Sequence, residues 1–340
     1  MTGPKVSIIM PAFNAAHCVT RAIGSVQAQT EQDLEIIVVD DASSDATVDV
    51  VRRLAEQDPR IILLAQKTNR GPSAARNMGI DQARGKWLAL LDADDAFKPE
   101  RVEMLCALAE DNALDAIGDD IVLFDDVAAM EVGAGQFVPA PGLNEISLDD
   151  FLRTATYRVG LREALYRDDK PISLLKLVLR ADFVKEHCLQ YSDRYRYCED
   201  FLFYYELLRL GARVALLDRP MYVYTEPLGS ISRRSSPHSR TIADRQSVID
   251  VVDEILSRDW SLSAGQQRLL DKRKRSTDAA MRYTSFRQQT SHCSKPALYG
   301  RVALRPTLWL RFVRELRHGF TSRIRHNRLY REGAVLDVRS

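Results

Sequence analysis

The chain is poor in the features that would settle its class at a glance. Its 340 residues hold five cysteines (Cys18, Cys106, Cys188, Cys198, Cys293), odd in number, scattered and without a Cys-x-x-Cys pair. Nothing in that spacing suggests a disulfide framework, a zinc site or a redox dithiol, and a reducing cytoplasm is the simplest compartment. No window reaches about 18 uninterrupted apolar residues, so no membrane-spanning helix is expected. The opening Met-Thr-Gly-Pro-Lys runs straight into a strand-like segment without a basic and apolar leader. No Gly-x-Gly-x-x-Gly follows the first strand, which removes a dinucleotide-dependent oxidoreductase, and the Gly-rich basic loop usual in nucleotidyltransferases is missing too. Internal repeats, low-complexity tracts and recognised nucleic-acid modules are absent, and no nucleic-acid partner is expected.

What remains is ordinary globular composition, 45% hydrophobic and 28% charged, in a chain long enough for two domains. The net charge of +1 hides an asymmetry: residues 261–340 carry +13 and residues 1–260 carry −12. Such a division points to different duties for the two parts.

Val6–Met10 and Glu35–Val39 are short, β-branched runs that read as buried parallel strands. The segment between them spaces Cys18, Val19, Ala22, Ile23 and Val26 as one helical face. The alternation continues with helices over 46–57 and 73–83 and strands over 61–65 and 87–91. Further on, the pattern predicts helices over 99–110, 148–153, 180–187 and 201–210, and strands over 116–124, 213–217 and 221–224. Residues 130–145 are rich in Gly and Pro and read as a loop, and from Thr241 onward almost everything reads as helix. The expected class is α/β, a mostly parallel sheet flanked by helices, with ligands outside the carboxyl ends of the strands.

Three acidic groups fall at predicted element ends: Asp40-Asp41, Asp92-Ala93-Asp94-Asp95 and Glu199-Asp200. A single Asp after a strand often only makes a turn, but several carboxylates in one cleft repel each other unless a hard cation such as Mg²⁺ or Mn²⁺ joins them. Four ordered segments carry a resemblance: Val6-Ser-Ile-Ile-Met-Pro-Ala-Phe-Asn14, Val38-Val-Asp-Asp-Ala-Ser-Ser-Asp45, Asn69-Arg-Gly-Pro-Ser-Ala-Ala-Arg-Asn77 and Leu91-Asp-Ala-Asp-Asp95. Together they resemble the successive signatures of family 2 glycosyltransferases with the GT-A fold, over residues 4–125 and more weakly to about 235.

The resemblance implies that Pro11, Ala12, Phe13 and Asn14 embrace a uracil base and that Asp41, with Asp40, reads it. It further implies that Arg76 lies close to the nucleotide, that Asp92 meets the ribose side, and that Asp94 ligates a Mn or Mg ion bridging the diphosphate of a UDP-sugar. Family members carry an acidic pair where Glu199-Asp200 stands, which makes Asp200 the candidate general base of an inverting transfer. A helix's first turn favours acids for its dipole alone, so the pair has a structural reading as well. Ser230-Ile-Ser-Arg-Arg234 resembles a segment that closes over the donor, so Arg233 is a candidate diphosphate contact. A histidine common a few residues earlier is replaced by Thr225-Glu226-Pro227, with His238 as a stand-in. The aromatic stretch from Tyr191 to Tyr205 offers rings either to the core or to acceptor sugars.

Beyond Arg305, an apolar face of Trp309, Phe312, Val313, Leu316, Phe320 and Ile324 alternates with arginines. That is the pattern of a helix lying on an anionic membrane surface, although the stripe could equally pack on the catalytic domain. The expected organisation is a GT-A domain over 1–235, divided near 125 into a nucleotide-binding half and an acceptor half. A helical, basic region follows over 236–340. The expected activity is metal-dependent transfer of a hexose, glucose by preference, to a polyprenyl-diphosphate-linked oligosaccharide. It would take place on the cytoplasmic face of the plasma membrane during exopolysaccharide assembly. A nucleotidyltransferase and a non-catalytic nucleotide-binding scaffold are the alternatives.

Overall fold

The computed structural model describes residues 3–125, 129–134, 138, 140–154, 175–195, 197–226 and 242–289. Its first part alternates as β1 (Val6–Ala12), α1 (Val19–Gln27), β2 (Leu34–Asp40), α2 (Thr47–Gln57), β3 (Ile61–Ala65), α3 (Pro72–Gln82) and β4 (Trp87–Leu90). Helices cover both faces of these strands, so all seven residues of β2 and nearly all of β1 are buried, which is why the strands are mostly apolar. Helix α1 buries Val19, Ala22, Ile23 and Val26, one stripe at helical spacing. Helix α3 is entered through Gly71 at φ +90°, a conformation that a side chain disfavours, and Pro72 then opens its first turn. A Cβ at Gly79 would fall 2.5 Å from Ile9 Cγ2, so only glycine lets α3 sit this close to β1.

The chain continues with β5 (Ala96–Phe97), α4 (Arg101–Asp111), β6 (Ala116–Asp125), β7 (Met130–Ala134), β8 (Leu143–Glu145) and α5 (Leu148–Thr154). After these come β9 (Val178–Arg180), α6 (Ala181–Glu186), α7 (Glu199–Arg209), β10 (Val214–Glu226), α8 (Ile242–Arg258) and α9 (Ala264–Gln289). One sheet runs in the order β3-β2-β1-β4-β9-β6-β10-β5, with β7 beside β6 and β8 beside β10. Strands β1 to β4 are mutually parallel, as are β6 and β10, while β9 is inserted antiparallel between β4 and β6. The carboxyl ends of β1, β2, β4, β6 and β10 therefore open on one edge.

The expected helix-flanked, mostly parallel sheet is present, with four differences from the sequence expectation, the smallest being the unexpected two-residue β5. Residues 130–145, expected as a loop, contain β7 and β8, which acquire strand geometry only by pairing with β6 and β10. The expected helix over 180–187 is preceded by β9, too short for its periodicity to be read. The two strands expected over 213–217 and 221–224 are one, β10, with register shifts around Pro220. Helices α8 and α9 add Val251, Val252, Ile255 and Leu270 to the same core as the sheet. They are also tied to the preceding part by Tyr195 to Glu254 (2.7 Å) and by Tyr205 to Asp259.

One buried carboxylate belongs to this frame. Glu35, near the start of β2, accepts hydrogen bonds from Ser7 Oγ (2.6 Å), the Arg84 amide (2.8 Å) and the Arg84 guanidinium (2.6 Å). Burial opposes its ionisation, but the Ser7 and Arg84 bonds outweigh burial and hold the carboxyl below the usual range. A depressed folded-state pKa gives stability that is present above the unfolded value, about 4.3, and lost as the pH falls through the folded one. Thermal unfolding between pH 7 and pH 3 should therefore show the wild type losing more of its midpoint than Glu35→Gln, which starts lower and changes less.

Candidate active site

The loops that follow β1 and β2 are laced together. Pro11 and Ala12 end β1; Asn14, at φ +50°, accepts the Ser44 amide on Oδ1 (2.8 Å) and donates its own amide to Ser43 Oγ (2.8 Å). Phe13 is left half-exposed at 51%, a large ring held open at the sheet edge. The adjacent aspartates differ. Asp41 accepts the amides of Arg70 (2.7 Å) and Gly71 (2.8 Å), one on each oxygen, and so braces the turn into α3. Asp40 accepts the Ser43 amide on Oδ2 (3.0 Å), whereas its buried Oδ1 has no hydrogen-bond partner among the described residues. A buried acceptor left unpaired is unfavourable, so this oxygen has capacity for a further donor.

The Asp92–Asp95 turn, just past β4, is fastened from two sides. Asp95 accepts Tyr222 Oη (2.6 Å) and the Thr225 amide (2.8 Å) from β10, and the Asp92 amide donates to Tyr222 Oη (3.3 Å). Arg21, from α1, donates to the Asp94 carbonyl (2.6 Å) and to Thr225 Oγ1 (3.0 Å). The Asp94 backbone is fixed while no cation among the described residues pairs with its carboxylate. Burial, reinforced by repulsion from Asp92, pushes that carboxyl above the usual range.

Asp92 and Asp200 are joined through two cations. Arg76 reaches Asp92 Oδ1 (3.0 Å) and Asp200 Oδ1 (3.4 Å), and Lys176 Nζ reaches Asp92 Oδ2 (3.1 Å) and Asp200 Oδ2 (3.0 Å). The four side chains close a ring in which each carboxylate gives one oxygen to each cation. Glu199 adds a third contact to Arg76 at 3.1 Å. Burial opposes charge on Asp92, yet Lys176 and Arg76 hold its carboxyl well below the usual range. Burial would likewise deprotonate Lys176, but Asp200 and Asp92 raise it so that it stays an ammonium. For Glu199, burial and the neighbouring Asp200 prevail over Arg76 and push the carboxyl up.

Each member arrives from a different element. Arg76 is in the first turns of α3, and Glu199 and Asp200 are the first residues of α7, where the helix dipole favours them. Cys198, at φ +76°, turns the chain into α7 at a steric cost of about 1–2 kcal/mol. Lys176 precedes β9, whose reversed direction returns the chain to the end of β4. Its carbonyl accepts Arg101 (2.6 Å), and Arg101 is itself paired with Asp119 (2.7 Å) with both side chains fully buried. Asn77 and Tyr191 exchange two hydrogen bonds, side-chain amide to backbone, each of 2.8 Å. That clamp sets the Tyr191 ring 5.2 Å from the Arg76 guanidinium and stacked at 4.1 Å on Phe203.

The expected residues other than Arg233 lie at one edge of the sheet, and Arg76, expected beside a nucleotide, is the hub of the acidic cluster. Tyr191, Tyr195, Phe201, Tyr204 and Tyr205 are buried and serve the core, whereas Tyr197 is only partly buried. Arg233, His238 and the amphipathic segment from Arg305 lie outside the described residues. Sequence reasoning missed Lys176, although a lone lysine in the apolar run Leu174-Leu-Lys-Leu-Val178 was a signal, since charge there needs partners. It also missed Tyr222, the Asn77–Tyr191 clamp and the Arg101–Asp119 pair, whose members carry no local mark. A separate groove of about 540 Å³, lined by Ala74, Asn77, Met78 and Asp81 among others, runs along a different face of α3 from Arg76. Among the described residues no three His, Cys, Asp or Glu side chains converge as a ready-made metal site, and no helix is long and apolar enough to cross a membrane.

Comparison with known proteins bears on this arrangement. The family described as Glycosyl transferase family 2 matches residues 7–164. The succinoglycan biosynthesis protein ExoO of Rhizobium meliloti is 30% identical over 274 residues, 80% of this chain and 73% of that protein. ExoU of the same organism is 34% identical over 214 residues, 62% of this chain and 59% of that protein. S. aureus TarS 1–349, solved with UDP, superimposes with a TM-score of 0.54 at 20% identity over 83% of this chain and 71% of that one. The mannosyltransferase PcManGT from Pyrobaculum calidifontis, solved with GDP-Man and Mn²⁺, gives 0.54 at 19% identity over 92% and 87%. At those identities the two structures establish the fold, which is GT-A.

Proposed function

The chain belongs to glycosyltransferase family 2, and from that premise we propose that it transfers a hexose, glucose by preference, from a UDP-sugar with inversion. The acceptor is a hydroxyl of a polyprenyl-diphosphate-linked oligosaccharide, in exopolysaccharide biosynthesis. The observation that carries the reading is the ring itself: it brings Asp92, at the end of a donor-side strand, and Asp200, at the start of α7, into contact with the same two cations. The likeness to ExoO and ExoU, both named for succinoglycan biosynthesis, supports the polymer class.

In this reading the half-exposed Phe13 ring covers the base, and the unpaired Asp40 Oδ1 accepts its imide N–H. Asp41 acts one step removed, by holding the turn before α3. Asp92 serves the ribose side, and the family resemblance assigns the diphosphate to Arg233, which lies outside the described residues. The donor set fits a hard divalent cation, because Asp94 offers a partly buried carboxylate that no cation among the described residues pairs with, and diphosphate oxygens and water would complete the shell. When bound, Mn²⁺ or Mg²⁺ there offsets the charge that grows on the leaving diphosphate. Asp200 takes the proton of the acceptor hydroxyl as that oxygen attacks the anomeric carbon from the face opposite the diphosphate. The domain spans 1–235 with α8 and α9 packed onto its core, and the basic region over 236–340 attaches it to the inner face of the plasma membrane, where a lipid-linked acceptor resides.

The test is UDP release by the purified protein across UDP-glucose, UDP-galactose and UDP-N-acetylglucosamine, with membranes carrying lipid-linked acceptors. Turnover should vanish on chelation and return with Mn²⁺ or Mg²⁺, and Asp94→Ala should lose about 100-fold or more, as expected when several kcal/mol of charge stabilisation is removed. Metal-dependent UDP binding without turnover would favour the scaffold alternative, and no UDP binding would overturn the donor assignment.

A further inference from the structure

Lys176 lies outside all the segments that carry the family resemblance, yet it is the best-anchored cation of the cluster after Arg76. Its side chain is 8% exposed and contacts two carboxylates at 3.0 and 3.1 Å. The chain makes an unusual provision to bring it there. Strand β9 runs against β4, pairing Val178 with Ala89, so that the residues just before β9 pass the end of β4 where Asp92 stands. The backbone at Lys176 is then pinned by the buried guanidinium of Arg101, which donates to the Lys176 carbonyl.

We propose that Lys176 is a positioning residue of the transfer reaction: by sharing its ammonium between Asp92 and Asp200 it fixes the orientation of the base and its distance from the donor. Arg76 cannot do this alone. It grips Asp200 through one oxygen at 3.4 Å and is drawn at the same time towards Glu199, leaving the carboxylate free to pivot about that contact. The second contact, from Lys176 to the other oxygen, removes the pivot. A carboxylate has about four lone-pair sites on its two oxygens. The ring therefore leaves room for an acceptor hydroxyl to donate to Asp200 while both cations stay in place. Lysine suits the position because a compact ammonium can bridge two carboxylates that already receive a planar guanidinium on their other oxygens.

The proposal rests on the glycosyl-transfer reading, and the experiment separates the two. UDP release is measured for wild type, Lys176→Met and Lys176→Arg, with UDP affinity by calorimetry in the presence of Mn²⁺ and thermal unfolding as a check on folding. For Lys176→Met the expected result is a fall in kcat of about 100-fold, the scale of an ångström's misplacement of a catalytic group. KM for the donor and UDP affinity should stay close to wild type, and Lys176→Arg, which keeps the charge, should recover part of the lost kcat. Turnover by wild type with kcat unimpaired in Lys176→Met would overturn the positioning role and leave the glycosyl-transfer reading standing. So would loss of kcat, UDP affinity and folding together with no recovery in Lys176→Arg, since that pattern belongs to a purely structural lysine. Absence of turnover by wild type with every donor would remove the reaction itself, and the proposal with it.

Discussion

Asp200→Asn is expected to lower kcat by about 10²–10⁴-fold, the range that a positioned general base contributes, while UDP affinity changes little. The asparagine keeps the size of the side chain but cannot accept the acceptor's proton. Donor affinity is the informative control, because Asp200 stands at the start of α7 and not on the loops after β1 and β2. If the acids at 199 and 200 served only to complement the helix dipole, the substitution would remove about 0.3–1 kcal/mol of stability and leave turnover nearly intact. Glu199→Gln separates the two duties further. Among the described residues Glu199 pairs with Arg76 alone, at 3.1 Å, so its loss should loosen the hub without removing the base, and the fall in kcat should be much smaller than for Asp200→Asn. Single-turnover measurement of UDP release, with the acceptor present, reads the chemical step directly.

Arg101→Met is expected to destabilise the protein by about 3–5 kcal/mol, the usual result of breaking a buried ion pair from one side. The Arg101 guanidinium gives two hydrogen bonds to Asp119 Oδ1 (3.0 and 2.7 Å) and lies 4.3 Å from the centre of the Phe97 ring. Burial already pushes the Asp119 carboxyl up against the pull of Arg101, and without the arginine the remaining charge would be uncompensated. For a domain whose whole stability is about 5–15 kcal/mol this is a large fraction. Replacing both partners, Arg101→Met with Asp119→Leu, should return most of the stability, since buried pairs exchanged for apolar residues are often neutral. It should not return full turnover, because the Lys176 carbonyl still lacks its donor. Denaturant unfolding and UDP release on the same three proteins would show whether stability and kcat part company in this way.

That separation explains what was legible in the chain and what was not. The parallel half of the sheet was readable because burial on both faces gives β1 and β2 β-branched apolar runs, and because α1 repeats its buried residues at helical spacing. Strands β7, β8 and β9 were not, since their strand geometry comes from the edges that they join and not from an apolar run closed by turn residues. Within the site, Asp40, Asp92, Asp94 and Asp200 could be named from ordered motifs, but the different duties of Asp40 and Asp41 could not. Both are buried, and only the path of the backbone into α3 decides that Arg70 and Gly71 donate to Asp41 and leave Asp40 Oδ1 unpaired.

By itself, then, the sequence determined the class of the fold, the family, and the edge on which the acids gather, because hydrophobic pattern and motif order are local properties of the chain. The tertiary structure alone decided which charge meets which. Arg76 and Glu199 are 123 residues apart, Lys176 and Asp200 are 24 apart, and their pairing depends on α3, the reversed β9 and the first turn of α7 arriving at one point. Ion-pair energies fall with distance and rise with burial, and neither quantity exists until the chain has closed on itself.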